Sequence, residues 1–341
     1  MDLEINYRVP SLSKQIHTYR CHTISKFVYL CDSHKNNTFL AHIRTQKINP
    51  WFITGFADGE GCFSINVIKN KKYKTGWMII LNFSINLHER EKILLEEIKK
   101  FFHDVGSISK HGPQSFQFKV KSIKNLVVII NHFDKFPLNT KKFADYKLLE
   151  QAFKLIQRQE HLTYEGLRKI VAIKARMNLG LSEKLQVAFP DVVPVERPLV
   201  ELPLSIDPYW LAGFTSGEGS FMINIGASQT HSVGFQVELV FQITQHKRDE
   251  WLMRSLIELL QCGKIYKYRN AFDFRVSKFN DIIKIIIPFF LQYPIHGVKA
   301  LDFKDFCLVA EMMKEKKHLT QEGLELIRKI KAGMNRGRKL D

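Results

Sequence analysis

Two hydrophobic periods alternate along this chain. Pro50 to Asp58 and Pro208 to Ser216 carry apolar residues at helical spacing, each behind a capping residue, Asn49 or Asp207, with proline at the first helical position. Apolar and polar residues then alternate over Cys62 to Lys69, Trp77 to His88, Gly106 to Lys110 and Ser115 to Lys121, the period of half-buried strands. A helical pattern around Glu89 to Phe102 separates the middle pair, and helices from Lys141 to Gln159 and Tyr164 to Met177 close the unit. The order αββαββαα predicts an α+β fold built on an antiparallel sheet.

The pattern occurs twice. Gly55, Phe56, Gly59, Glu60, Gly61 and Phe63 recur as Gly213, Phe214, Gly217, Glu218, Gly219 and Phe221, always 158 positions later. Pro137, Lys142, His161, Gly166 and Met177-Asn178 recur as Pro294, Lys299, His318, Gly323 and Met334-Asn335 at an offset of 157, as one deletion near Gly263 would produce. Two tandem copies of one domain, 50–180 and 209–341, follow. The stretch 181–208 between them holds Pro190, Pro194, Pro198, Pro203 and Pro208, a stiff linker with no room for a long helix. Residues 1–49 read as a flexible arm; a mitochondrial presequence or a DNA-contacting arm are the alternatives.

Alternation also assigns faces. Phe63, Ile65 and Val67 point to a core, whereas Ser64, Asn66 and Ile68 point outward, joined by Asn82, Gln117, Lys119 and Lys121 from the later strands. In copy two the outward row is Met222, Asn224, Gln236, Glu238, Val240, Gln242, Asp273 and Arg275. Amides, hydroxyls and bases on a strand ribbon are the groups that read base edges in a major groove.

Charge sharpens this reading. Lys and Arg total 51 against 34 Asp and Glu, a formal charge of +17, which favours a polyanionic partner or an anionic surface. The longest apolar runs are interrupted by Asn131, Lys284 and Pro288, so no transmembrane helix is expected. The five cysteines, Cys21, Cys31, Cys62, Cys262 and Cys307, form no Cys-x-x-Cys and support neither a disulfide framework nor a zinc site.

The chemistry concentrates at the first helix of each copy. Gly55 and Gly59, like Gly213 and Gly217, lie four apart and share a helix face, so the two helices are expected to pack on each other at the copy boundary. Glu60 and Glu218 then meet at the C-terminal ends, where like charge and the helix dipole both disfavour carboxylates. A hard divalent cation with carboxylate and water ligands compensates such a pair and can activate water at a phosphodiester.

The segments Ile53-Thr54-Gly55-Phe56-Ala57-Asp58-Gly59-Glu60-Gly61 and Leu211-Ala212-Gly213-Phe214-Thr215-Ser216-Gly217-Glu218-Gly219 resemble the two motifs of single-chain LAGLIDADG homing endonucleases. The resemblance runs from Pro50 to Arg338. It is especially close to the fungal mitochondrial, intron-encoded branch at Glu160-His161-Leu162-Thr163 and Lys317-His318-Leu319-Thr320. It implies a monomeric, mitochondrial enzyme whose two four-stranded sheets form a saddle on double-stranded DNA. Mg²⁺ or Mn²⁺ at Glu60 and Glu218 would support cleavage of both strands, leaving 3′ overhangs.

The resemblance also implies a basic residue near each scissile phosphate, Lys142 and Lys299, and a second-strand glutamine that orders water. Gln242 fits the latter role, but copy one has Ser84 there, so unequal half-sites are expected. The alternative reading is an intron maturase that binds RNA on the same scaffold. A pure RNA binder has no need of two facing carboxylates, which favours the nuclease.

Overall fold

The computed structural model describes residues 47–200 and 205–338. The expected N-terminal arm lies outside them apart from residues 47–49, as do Cys21, Cys31 and Pro203.

Copy one runs α1 (Pro50–Glu60), β1 (Gly61–Lys69), β2 (Trp77–His88), a 3-10 turn (Glu89–Glu91), α2 (Lys92–Phe101), β3 (Ser107–Lys110), β4 (Ser115–Val120), α3 (Ile123–Lys135), α4 (Lys142–Gln157) and α5 (Tyr164–Ala175). After a short linker helix, α6 (Glu183–Ala188), copy two repeats the order. It comprises α7 (Pro208–Glu218), β5 (Gly219–Ala227), β6 (Phe235–His246), a 3-10 turn (Lys247–Asp249), α8 (Glu250–Leu260), β7 (Lys264–Tyr268) and β8 (Ala271–Val276). Helix α9 follows in three parts (Phe279–Asp281, Ile282–Ile286, Ile287–Gln292), then α10 (Lys299–Lys314) and α11 (Gln321–Ala332). Each copy has a four-stranded antiparallel sheet, ordered β1-β2-β4-β3 and β5-β6-β8-β7. The two domains have the αββαββαα pattern of an open saddle, with one further helix between the last strand and the closing pair.

That further helix, α3, buries Leu126, Ile129, Ile130 and Phe133 on one face. Val127 and Val128 fill the gaps with more apolar residues, which hides the period in the sequence. In copy two the corresponding helix widens into a π segment over Ile282–Ile286 just before Pro288, which lacks an N–H and crowds the carbonyl four residues back. The first helices run two residues beyond their expected ends, so Glu60 and Glu218 are the last helical residues and strands begin directly at Gly61 and Gly219.

Each sheet covers its own aromatic core. Phe63 packs against Phe83, Phe133 and Tyr146 with ring centroids 5.1–5.5 Å apart, and Phe221 against Phe241, Phe290, Phe303 and Phe306 at 5.1–5.5 Å. The repeated short motifs prove architectural. Thr163 and Thr320 cap α5 and α11 by accepting the N–H of Gly166 (3.0 Å) and Gly323 (3.1 Å). Asn178 and Asn335 take left-handed backbone, φ 47° and 53°, and tie the last turn to the first strand through Nδ2 bonds to the Phe63 and Phe221 carbonyls.

The copies differ at their buried imidazoles, His132 standing opposite Phe289 and His296 opposite Asn139. His132 Nε2 lies 3.1 Å from Thr54 Oγ1, whose own proton goes to the Phe136 carbonyl, so the ring N–H is the donor. Burial holds His132 neutral, down to about 3, and His296 likewise, down to about 4. The unfolded chain protonates each ring near its ordinary value of 6.5, whereas the folded chain resists until the lower value. Stability is therefore full above that ordinary value and falls as pH drops through the window, by about 1.4 kcal/mol per unit per ring. Copy two has Ala212 and Phe289 in place of Thr54 and His132. The double substitution Thr54→Ala, His132→Phe should remove one ring's share of the acid slope, read from unfolding free energies at neutral and mildly acid pH. An unchanged slope would contradict the assignment.

Candidate active site and nucleic-acid interface

The two first helices touch backbone to backbone. A Cβ on Gly55 would lie 1.9 Å from the Trp210 carbonyl oxygen, and one on Gly213 2.0 Å from that of Phe52. One turn on, a Cβ on Gly59 would meet Glu218 Cγ at 3.2 Å and one on Gly217 would meet Glu60 Cγ at 3.3 Å. Each glutamate thus packs across the other copy's glycine, and the two carboxylates share one cleft at the copy boundary.

Burial pushes the Glu60 carboxyl up, and Glu218 adds to it; Lys299 and then Lys142 pull the other way. Those lysines also answer the helix ends. Lys142 Nζ donates to the carbonyls of Ala57 (3.1 Å) and Gly59 (2.8 Å), and Lys299 Nζ to those of Thr215 (3.1 Å) and Gly217 (2.6 Å). A cation at a helix C-terminus is favourable, so the compensation expected of a metal alone is shared with two lysines. Burial lowers both ammonium groups, Lys299 to about 8. Asp58 of its own copy acts first on Lys142, followed by Glu218 and then Glu60, whereas Glu60 acts first on Lys299, so at each lysine the other copy's glutamate outweighs its own copy's.

The copies are unequal behind this cleft. Asp58, fully buried, accepts from Asn139 N (2.7 Å), Thr140 N (3.1 Å), Thr140 Oγ1 (2.6 Å) and Trp210 Nε1 (2.7 Å). These bonds lock the acidic helix to the loop before α4 and to copy two. Among the described residues Ser216, its counterpart, accepts from His296 N alone (3.3 Å) and donates to the Ala212 carbonyl. No sequence pattern marked Asp58, Thr140 or Trp210; Asp58 standing opposite Ser216 in otherwise matched motifs is the signal that was available.

No cluster of three or more His, Cys, Asp or Glu able to hold a metal occurs among the described residues. What the cleft offers is two carboxylates in a partly desolvated, mutually repelling pair, hard oxygen donors that suit a divalent cation whose other ligands come from water and phosphate. The donor set fits such an ion.

The outward rows are only partly open. Ser64, Lys119, Met222, Asn224, Glu238, Asp273 and Arg275 are half-buried, while Asn66, Ile68 and Gln236 are exposed. Asn82 and Gln117, expected on the reading face, are instead buried at 4% and 7%; Asn82 donates to the Ser64 hydroxyl and is engaged inside the sheet. Ser84, between its register partners Cys62 and Lys119, is buried as well. Gln242 is half-exposed, and its amide donates to Thr244 Oγ1 (3.1 Å). Val240 is fully buried despite its outward parity. Lys121 lies beyond the end of β4 and lines a hollow with Tyr73, Trp77, Ile123 and His161, off the strand row.

Register adds residues that the alternation had not singled out. Ser107 and Ser109 stand opposite Lys119 and Gln117, and Lys264 and Tyr266 opposite Arg275 and Asp273, extending both rows onto the outer strands. Among the described residues no helix is long and apolar enough to cross a membrane.

The profile of the family described as LAGLIDADG endonuclease matches residues 53–153 and 211–310. A Neurospora crassa protein named probable intron-encoded endonuclease 3 is 39% identical over 293 residues, 85% of this chain and 55% of its own length. The chain thus spans about half the length of that curated relative. The I-SmaMI LAGLIDADG homing endonuclease bound to cleaved DNA is 48% identical, with a TM-score of 0.84 over 86% of this chain and 99% of its own. The same enzyme is also known bound to uncleaved DNA target in the presence of calcium ions. I-GzeII in complex with its DNA target is 43% identical, with a TM-score of 0.80 over 86% of this chain and 100% of its own. A match that falls once on each copy, starting within the helix pair that the fold brings together and running through each sheet, makes this chain a member of the LAGLIDADG endonuclease family.

Proposed function

We propose that the chain is a site-specific homing endonuclease that makes a staggered double-strand break, with 3′ overhangs, in a long and nearly asymmetric DNA target. It acts as a monomer in a fungal mitochondrion, with Mg²⁺ or Mn²⁺ held by Glu60 and Glu218. The observation that carries this reading is the shared cleft, where a carboxylate and a buried lysine from each copy converge between two outward-facing sheets. A divalent cation bound there supplies Lewis-acid activation of water and neutralises phosphate charge. The relatives' DNA complexes and the calcium-bound state support the choice of substrate and of ion class.

The chain's own groups do the positioning. Lys142 and Lys299 are held by two carbonyls each, so their charge is fixed where phosphate charge develops and needs no reorganisation. Lys142→Met or Lys299→Met should slow single-turnover cleavage at saturating DNA by about 10²–10³, the scale of losing one preorganised donor. Binding should weaken far less. Loss of affinity at an unchanged rate would reduce both residues to phosphate contacts.

Each copy reads its own half-site. Substituting Ser64, Asn66 or Lys119 should relax base preference on one side of the cut, and Asn224, Gln236 or Arg275 on the other, each contact being worth about 1–3 kcal/mol. Preference between the cuts should respond to neither set, because it arises there from the energy of bending the duplex. Profiling all single-base target variants against one substitution from each set tests the function. Shifts at the same positions from both sets would overturn the two-half-site reading.

A further inference from the structure

The N-cap residues of the two lysine-bearing helices, Lys141 before α4 and Val298 before α10, supply no side-chain acceptor. The missing acceptor comes from the other copy. Glu91, at the end of the copy-one 3-10 turn, accepts the Val298 N–H at 3.0 Å. Asp249, its counterpart 158 positions on, accepts the Lys141 N–H at 2.9 Å. Val298 and Lys141 are themselves equivalent, and each directly precedes an active-site lysine.

The fit on each side is built for its acid. Gly297 has φ +75°, and a Cβ there would lie 2.5 Å from Glu91 Oε2, so glycine at that corner leaves the longer acid room to make this contact undisplaced. Opposite the shorter Asp249, copy one has Thr140, whose hydroxyl takes the next N–H, that of Lys142, at 3.1 Å. Asp249 is 1% exposed. Glu91 is held up by burial, with the Val298 N–H, Arg90 and Lys299 pulling against it, so its field reaches the lysine whose helix it starts. A carboxylate at a helix N-terminus satisfies an orphan N–H and complements the dipole.

We propose that Glu91 and Asp249 are positioning residues that act across the copy boundary, each fixing the helix start that aims the other copy's active-site lysine. The proposal rests on the endonuclease reading above. Through it neither half-site is complete without the other, and the two cleavage events are coupled by hydrogen bonds and not only by the shared helix pair. Copy two depends on its foreign acid more, because Gly297 has no hydroxyl to help.

The test uses the full chain and a target duplex labelled on each strand, with single-turnover rates in Mg²⁺ and affinity measured in EDTA. Glu91→Ala should slow the strand that Lys299→Met slows by about tenfold or more, the cost of a misplaced catalytic group. Asp249→Ala should slow the strand that Lys142→Met slows, and by less. Glu91→Gln, which keeps an acceptor oxygen, should restore most of the rate. Glu91→Ala should add little in a Lys299→Met background and act in full in a Lys142→Met background. If Glu91→Ala does not fold, Gly297→Ala, which crowds the same contact, should show the same strand bias. Equal slowing of both strands would overturn the proposal and mark a general interface contact. A wild-type chain that leaves every selected duplex intact would overturn the endonuclease reading itself.

Discussion

Glu60→Gln and Glu218→Gln are each expected to abolish double-strand cleavage while leaving site binding intact. Glutamine has the same length and still packs across Gly217 or Gly59, so the helix pair keeps its geometry. What it loses is the charge proposed to hold a divalent ion, and with it several kcal/mol of transition-state stabilisation, an expected fall of more than about a thousandfold. Removing negative charge from a cleft that faces phosphates does not weaken DNA binding. Stability should hold or rise in Glu60→Gln, because burial and Glu218 already push the Glu60 carboxyl up. Loss of activity without loss of stability separates a functional acid from a structural one. Wild-type rates in either variant would remove the metal assignment.

Gly55→Ala or Gly213→Ala should destabilise the chain by about 3 kcal/mol or more, at the upper end of overpacking effects. In a free helix the same change would stabilise by about 0.5–1 kcal/mol. The clash decides the sign, because the added methyl would meet a backbone carbonyl oxygen at 1.9 or 2.0 Å, and backbone cannot rotate aside. Cleavage should fail along with stability, since separating the helices moves both carboxylates. Gly226 has nothing within 4 Å of its Cβ position, so Gly226→Ala provides the control. It should change stability by no more than about 0.5 kcal/mol. Denaturant unfolding of the three variants checks this. Equal stability across them would mean that α1 and α7 do not pack as described.

Much of this architecture could be read from the chain because duplication printed it twice. Strand alternation in β1, β2, β5 and β6 gave core and outward faces directly, and the glycine spacing gave the helix pair. Where legibility ended, the cause was physical. An unbroken apolar run concealed α3, since a helix face is visible only against polar neighbours. Asn82 and Gln117 have outward parity yet are buried, because parity sets direction and not depth. Lys142 and Lys299 were matched by resemblance, but their hold on the helix-end carbonyls needed the fold. Glu91 and Asp249 look like ordinary acids at a turn until the second copy is brought against them.

Two half-sites that meet at one cleft should cut opposite strands. The most direct measurement selects a target from a random duplex library and maps the break on each strand in Mg²⁺. One cut per strand is expected, staggered about the target centre with 3′ overhangs and abolished by EDTA and by Glu60→Gln. Intact duplex in Mg²⁺ and Mn²⁺ alike, or cuts that persist in EDTA, would contradict it.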